Sequence, residues 1–299
     1  MTEQVRTHKS GFVNITGNSN VGKSTLMNRL VGERISIITS KVQTTRHRIL
    51  GIVNTEDMQI VYSDTPGVLR PNYKLQQSML NYSESALGDA DILLYVTDTV
   101  EKTDKNETFL QKVRQAECPV LLLVNKIDLI DQPALEQMVG EWHHMLPGAE
   151  IIPVSALMNF NIERVRQRIV ELLPDSPPYF DKDALTDRPA RFFVTEIIRE
   201  KILLYYQREI PYAVEVVVEQ FDELPDMIHV KTLIIVERET QKGIIIGHRG
   251  LALKKVGTMA RKDMELFFGK KIFLEMFVKV EKDWRNRDNI LKAFGYQLD

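Results

Sequence analysis

Cysteine is nearly absent from this sequence: Cys118 stands alone in 299 residues. No intrachain disulfide is possible, which excludes a disulfide-stapled scaffold and fits a reducing compartment. Within Cys118-Pro119-Val120-Leu121-Leu122-Leu123-Val124 the thiol reads as a small core residue of a buried strand. Long apolar runs are also missing. None approaches the roughly 18 residues that a membrane-spanning helix needs, and the polar N-terminus lacks the apolar core of a signal peptide. A cytosolic location is expected, and surface contact with a membrane is compatible with it. Internal repeats are absent. So is an excess of either charge: 39 Lys and Arg stand against 41 Asp and Glu, a net of −2.

The balanced total hides an uneven distribution. From Arg191 onward there are 19 basic and 17 acidic residues, so the preceding part carries the negative balance. Residues 242–272 hold eight basic and two acidic residues, whereas residues 215–226 hold five acidic and no basic ones. A basic face on a nearly neutral domain suits an anion. With 43% apolar and 27% charged residues the chain is of ordinary globular composition. Its length allows two domains with separate cores.

Strand-like runs at 12–16, 48–53, 58–62, 91–96, 120–124 and 151–154 alternate with helical segments such as 26–31, 106–117 and 162–173. Several of these runs are continuously apolar, as strands buried on both faces are. The short polar joint Asn54-Thr55-Glu56-Asp57 predicts one antiparallel hairpin. The fold class expected is α/β with a mostly parallel sheet over 1–178. Pro174-Asp175-Ser176-Pro177-Pro178 reads as a linker or surface turn. A smaller α+β domain is expected over 190–299. Its elements are a helix at 192–208, strands at 213–218 and 228–238 separated by acidic turn residues, two short helices flanking residues 247–250 and running to about Phe268, a strand at 272–280 and a last helix near Asp283.

Gly17-Asn18-Ser19-Asn20-Val21-Gly22-Lys23-Ser24 is a complete G-x-x-x-x-G-K-[ST] loop between a strand and a helix. A chain of this length shows that pattern by chance about 1% of the time. Glycines allow the backbone to curl so that N–H groups face phosphate oxygens, and the helix N-terminus adds its dipole. Lys23 is expected at the β- and γ-phosphates and the Ser24 hydroxyl on Mg²⁺, with Thr25 next in the helix. Asp64-Thr65-Pro66-Gly67 follows a strand at the sheet's ligand-binding end. There an aspartate can hold the metal and a glycine N–H can meet the γ-phosphate. In Gln43-Thr44-Thr45-Arg46 a switch threonine is expected, and resemblance to the GTPase pattern favours Thr45, directly before Arg46, over Thr44, so the metal set implied is Ser24, Thr45 and Asp64. The catalytic set is Lys23, Thr45, Asp64 and Gly67.

Asn125-Lys126-Ile127-Asp128 follows another strand end. Guanine offers N1–H and an exocyclic amine side by side; a carboxylate accepts both, and adenine lacks the pair, so Asp128 selects guanine. Ser155, Ala156 and Leu157 are expected to bring a backbone N–H to the base oxygen. In order and spacing these elements resemble the GTPase superfamily over residues 11–173, which implies hydrolysis of GTP to GDP. Val68 follows Gly67 where Ras-type enzymes carry a water-orienting glutamine, so slow intrinsic turnover is expected. Asn20 matches the asparagine that helps related enzymes bind K⁺.

Gly247-His248-Arg249-Gly250 is a G-x-x-G loop with Lys254 and Lys255 close behind. Such a loop lets two backbones approach and grips about four nucleotides in KH modules. The element order fits a type II KH domain. A protein-docking module with a solvated basic stripe is the competing reading. The combination resembles the Era-type GTPases from about Gly11 onward. That resemblance implies a monomer binding 16S ribosomal RNA near its 3′ end, a role in assembly of the 30S subunit, and peripheral contact with the inner membrane.

Overall fold

The computed structural model describes residues 8–100 and 106–296. They group into two compact units. One holds the residues up to Ser36 together with Thr45–Pro71 and Gln76–Asp187; the other holds Ile37–Thr44, Asn72–Leu75 and the residues from Arg188 onward.

The first unit is built on a six-stranded sheet. Its strands are β1 (Lys9–Gly17), β2 (Ile49–Asn54), β3 (Met58–Asp64), β4 (Ile92–Asp98), β5 (Val120–Asn125) and β6 (Glu150–Pro153), in the order β2-β3-β1-β4-β5-β6. β2 and β3 form the expected hairpin, closed by Thr55 N–H donating to Met58 O at 2.9 Å. Every other neighbour pair is parallel. Parallel strands need crossover helices, and these cover the faces: α1 (Lys23–Val31), α2 (Lys74–Gly88), α3 (Glu107–Arg114), α4 (Gln132–Met145) and α5 (Ile162–Leu172). Buried Val13, Ile15, Leu26, Leu94, Leu123 and Val165 share one cluster; Leu93, Leu122, Phe109 and Trp142 share another.

The proline-rich stretch after α5 is packed. Ile52 N–H donates to Leu185 O at 2.8 Å and Thr186 Oγ1 to Leu50 O at 2.7 Å, so the chain lies along the free side of β2. The buried amide of Gln59 accepts from Tyr179 N–H and donates to Phe180 O. Residues 179–187, left between the two expected domains, therefore group with the first unit.

The second unit has α6 (Ala190–Tyr205), β7 (Glu215–Glu223), β8 (Met227–Val236), α7 (Glu239–Ile246), α8 (Leu251–Phe268), β9 (Lys271–Val280) and α9 (Asp288–Ala293). β8 is central, antiparallel to β7 and parallel to β9. Two expectations need correction. The acidic residues Asp222 and Glu223 lie inside β7, carried past a bulge between Val218 and Gln220. The second loop-flanking helix, α8, is 18 residues long. Its interior Gly257 does not break it; a Cβ there would lie 2.6 Å from Met276 Cε, the flexible end of a side chain on β9.

Candidate functional site

The phosphate loop runs from the end of β1 to the start of α1. Gly17 has φ +139°, and a Cβ there would meet Val96 O at 2.1 Å; Gly22 has φ +99°, and its Cβ would meet Asn125 Nδ2 at 2.2 Å. Both ends thus need glycine for conformation and for room. Lys23 is buried, and its ammonium donates to Gly17 O at 3.1 Å and Asn18 O at 2.7 Å. The cation is folded over the loop it belongs to, where anionic oxygens would sit. Asn18 is buried, Val21 packs into the core, Ser19 and Thr25 are half-buried, and Asn20 is exposed with φ +68°.

Three oxygens from three segments converge beside this loop. Ser24 Oγ donates to Asp64 Oδ2 at 2.7 Å and lies 2.9 Å from Thr45 Oγ1; Thr45 Oγ1 donates to the same carboxylate oxygen at 3.4 Å. The neighbouring Thr44 hydroxyl is engaged elsewhere, with Lys41 O at 2.6 Å and Thr39 Oγ1 at 2.7 Å. Burial pushes the Asp64 carboxyl above the usual aspartate range, while the Lys23 charge and the hydroxyl hydrogen bonds pull it back. Its Oδ1 is buried without a hydrogen-bond partner. A bare buried carboxylate oxygen flanked by two hydroxyls is a hard-oxygen donor set that fits Mg²⁺. Among the described residues no group of three or more His, Cys, Asp or Glu could hold a metal ion.

The segment after Asp64 closes on the loop. Thr65 Oγ1 donates to Ile15 O at 2.8 Å, and Pro66 O accepts from Ser83 Oγ at 2.7 Å. A Cβ on Gly67 would lie 2.4 Å from Ser19 Oγ and 2.6 Å from Ser19 Cα. Val68 N–H donates to Gly17 O at 3.1 Å while its side chain packs among Leu93, Tyr95 and Phe109. A buried valine can orient no water.

On the base side, Asn125 ties two loops together: Nδ2 donates to Val21 O at 2.7 Å and Oδ1 accepts from Ala156 N–H at 2.9 Å. Lys126 Nζ reaches Asn20 O at 2.7 Å and Asp98 Oδ2 at 2.5 Å. Asp128 Oδ1 accepts from Ser155 Oγ at 2.5 Å, which aims the carboxylate. Arg29 on α1 donates to Ala156 O at 3.2 Å and Leu157 O at 3.1 Å, from beneath the loop that carries them. The motifs do not mark Arg29 or Asp98; nothing but the folded chain brings them here.

The G-x-x-G loop joins α7 to α8 in the second unit. Gly247 has φ +72° and would place a Cβ 2.5 Å from Ala252 Cβ; Gly250 has φ +76° with open space around it. His248, Arg249, Lys254 and Lys255 are exposed, and Lys255 Nζ lies 5.1 Å from the centre of the Tyr205 ring. The result is a cationic rim around a bare, tightly turned backbone.

Comparison with known proteins places these features together. A family model described as a 50S ribosome-binding GTPase matches residues 12–126, and a KH domain model matches residues 209–285. The GTPase Era of Geotalea daltonii is 44% identical over 299 residues, which is 99% of this chain and all of that protein. The GTPase Era of Alkaliphilus metalliredigens is 42% identical over 97% of this chain and 99% of its own. Two solved structures each superpose with a TM-score of 0.93, covering 97% of this chain and all of the other. One is an Aquifex aeolicus Era variant bound to GDP and aluminium fluoride, 37% identical. The other is Era in complex with MgGDPNP and nucleotides 1506–1542 of 16S ribosomal RNA, 38% identical.

Proposed function

The chain belongs to the Era family of GTPases, and from that premise we propose that it is a GTP-controlled switch on RNA, acting at the 3′ end of 16S ribosomal RNA during assembly of the 30S subunit. GTP, GDP and Mg²⁺ are its nucleotides and metal. The observation that carries the RNA reading is the glycine-turned, cation-rimmed loop at residues 247–250 in a chain 38% identical to an Era solved with that RNA.

Residues are assigned by chemistry. Gly17, Asn18, Ser19, Asn20, Val21, Gly22 and Thr25 shape and extend the phosphate cradle. Lys23 supplies its charge, and Ser24, Thr45 and Asp64 hold Mg²⁺, which offsets the negative charge of the phosphates. Thr65, Pro66 and Gly67 bring a backbone N–H towards the γ-phosphate. Asn125, Lys126 and Asp128, with Ser155, Ala156 and Leu157, hold guanine. Gly247, His248, Arg249, Gly250, Lys254 and Lys255 grip RNA. We take residues 1–178 as the GTPase domain and 190–299 as the KH domain. We take the protein to be a cytoplasmic monomer that works on the ribosomal subunit, with any contact at the inner membrane peripheral; no helix among the described residues is long and apolar enough to cross one.

Crosslinking of the full chain to cellular RNA with GTP, with GDP and without nucleotide tests the reading. The 3′ end of 16S RNA should be recovered most strongly in one nucleotide state. Equal recovery in all three would remove the nucleotide control from the reading, and no recovery would favour a switch that docks a protein effector instead. A double variant, Arg249→Ala with Lys254→Ala, should weaken binding to single-stranded RNA and flatten the slope of log K against log salt by about 1.4, two phosphate contacts' worth. A K⁺ beside the phosphates, near Asn20, is a further assignment. Exchanging Na⁺ for K⁺ should speed GTP hydrolysis about tenfold or more by stabilising charge in the transition state; equal rates would remove K⁺ from the site.

A further inference from the structure

Helix α6 buries a charged pair that helix formation does not require. Glu196 and Arg199 are 4% and 1% exposed, and the guanidinium meets both carboxylate oxygens, Nε to Oε1 at 2.8 Å and Nη2 to Oε2 at 2.7 Å. Burying an ion pair gains little over burying apolar side chains of the same size, so such a pair is best explained by what else it holds. Here it holds backbone. Arg199 Nη1 donates to Gln43 O at 3.4 Å and Nη2 to Thr44 O. Both carbonyls belong to Ile37–Thr44, which groups in the same unit as α6. Gln43 has φ +58° and its Oε1 accepts from Tyr73 OH at 3.0 Å, while the Thr44 hydroxyl is tied back to Lys41 O. The segment is thus fixed at its last two residues. The next residue along the chain is Thr45, whose hydroxyl lies beside Ser24 and Asp64.

We propose that Arg199 is a positioning residue for GTP hydrolysis: by holding the Thr44 carbonyl it sets the peptide that presents Thr45 to the metal-binding oxygens. Arginine suits the task because its planar fork serves a carboxylate and two carbonyls at once, which the single ammonium of lysine cannot do in the same plane. Glu196 orients the fork and neutralises it. Contacts between a switch threonine and the γ-phosphate–Mg²⁺ pair exist with GTP and are released on hydrolysis, so Arg199 acts on the GTP complex and not on the GDP complex. This rests on the GTPase chemistry alone and is independent of the RNA partner.

The test compares the full-length protein with Arg199→Met, Arg199→Lys and Glu196→Gln, reading kcat, KM, the Mg²⁺ concentration for half-maximal hydrolysis, GDP affinity and the melting temperature. Arg199→Met should lower kcat about tenfold, the size expected when a charged hydrogen bond that positions a ligand is lost. It should also raise the Mg²⁺ requirement with GTP and leave GDP affinity unchanged. Arg199→Lys should recover part of both losses, and Glu196→Gln should fall between. A folded Arg199→Met with wild-type kcat and Mg²⁺ requirement overturns the proposal, as does an equal fall in GDP affinity, which would mark a purely structural role. If Arg199→Met does not fold, Arg199→Lys decides: an unchanged Mg²⁺ requirement in it rejects the assignment.

Discussion

Asp128→Asn should convert the protein from a guanine-nucleotide to a xanthine-nucleotide enzyme, with GTP affinity falling about 100-fold or more and XTP becoming the better ligand. The carboxylate is aimed by Ser155 Oγ at 2.5 Å, and the loop carrying that serine is anchored through Ala156 N–H on Asn125. Guanine presents two donors to this carboxylate. An asparagine would set an NH₂ donor against them, leaving buried donors facing each other, which costs far more than a lost contact. Xanthine carries a carbonyl where guanine carries its amine and restores the match. Competition binding of GTP and XTP checks this. A variant that loses both nucleotides alike would mean that Asp128 supports the loop and does not read the base.

Asp64→Asn should act in opposite directions on activity and stability. Hydrolysis should fall about 10³-fold, since Asp64 is the one carboxylate in the proposed metal set. The nucleotide-free protein should nevertheless melt higher. Burial raises the folded-state pKa of Asp64 above its unfolded value. The favourable proton uptake is therefore complete below the ordinary aspartate value and is lost as pH rises through the raised one. Above the ordinary aspartate value the buried carboxyl therefore works against folding, with Oδ1 lacking a partner. Asparagine removes that titrating group, and each 1 kcal/mol recovered raises Tm by about 2–4 °C in a unit of this size. Calorimetry of the apo protein at pH 7 measures it. A lower Tm in the variant would show that the carboxylate stabilises the loop even without metal.

The nucleotide site was legible because its parts are contiguous motifs at strand ends, each dictated by one local requirement: glycine for curvature, lysine for charge, aspartate for paired donors. The strands of the first sheet were legible for a similar reason, since strands buried on both faces read as continuous apolar runs. The KH-type order in the second half could be read as well. What stayed hidden depends on contacts far apart in the chain. Arg199 looks like any surface arginine on a helix until Gln43 and Thr44 are seen to lie against it. The acidic run at residues 222–223 reads as a turn because charge and turn propensity coincide, yet in an outer strand of the small sheet exposed acids are tolerated. Val68 stands where a water-orienting glutamine is missing, and its side chain belongs to the hydrophobic cluster that includes Leu93 and Phe109.

The packing of residues 179–187 along β2 has a bearing on synthesis. Once α5 has left the ribosome, all six strands of the first sheet are available, yet β2 still presents an unguarded row of backbone groups on its outer side. Such an edge invites pairing with another chain while folding is under way. The bonds from Ile52 to Leu185 and from Thr186 to Leu50 cover it only when the following stretch has emerged. A shortened protein stopped at Leu173 should therefore aggregate, whereas one carried through Asp187 should stay dispersed.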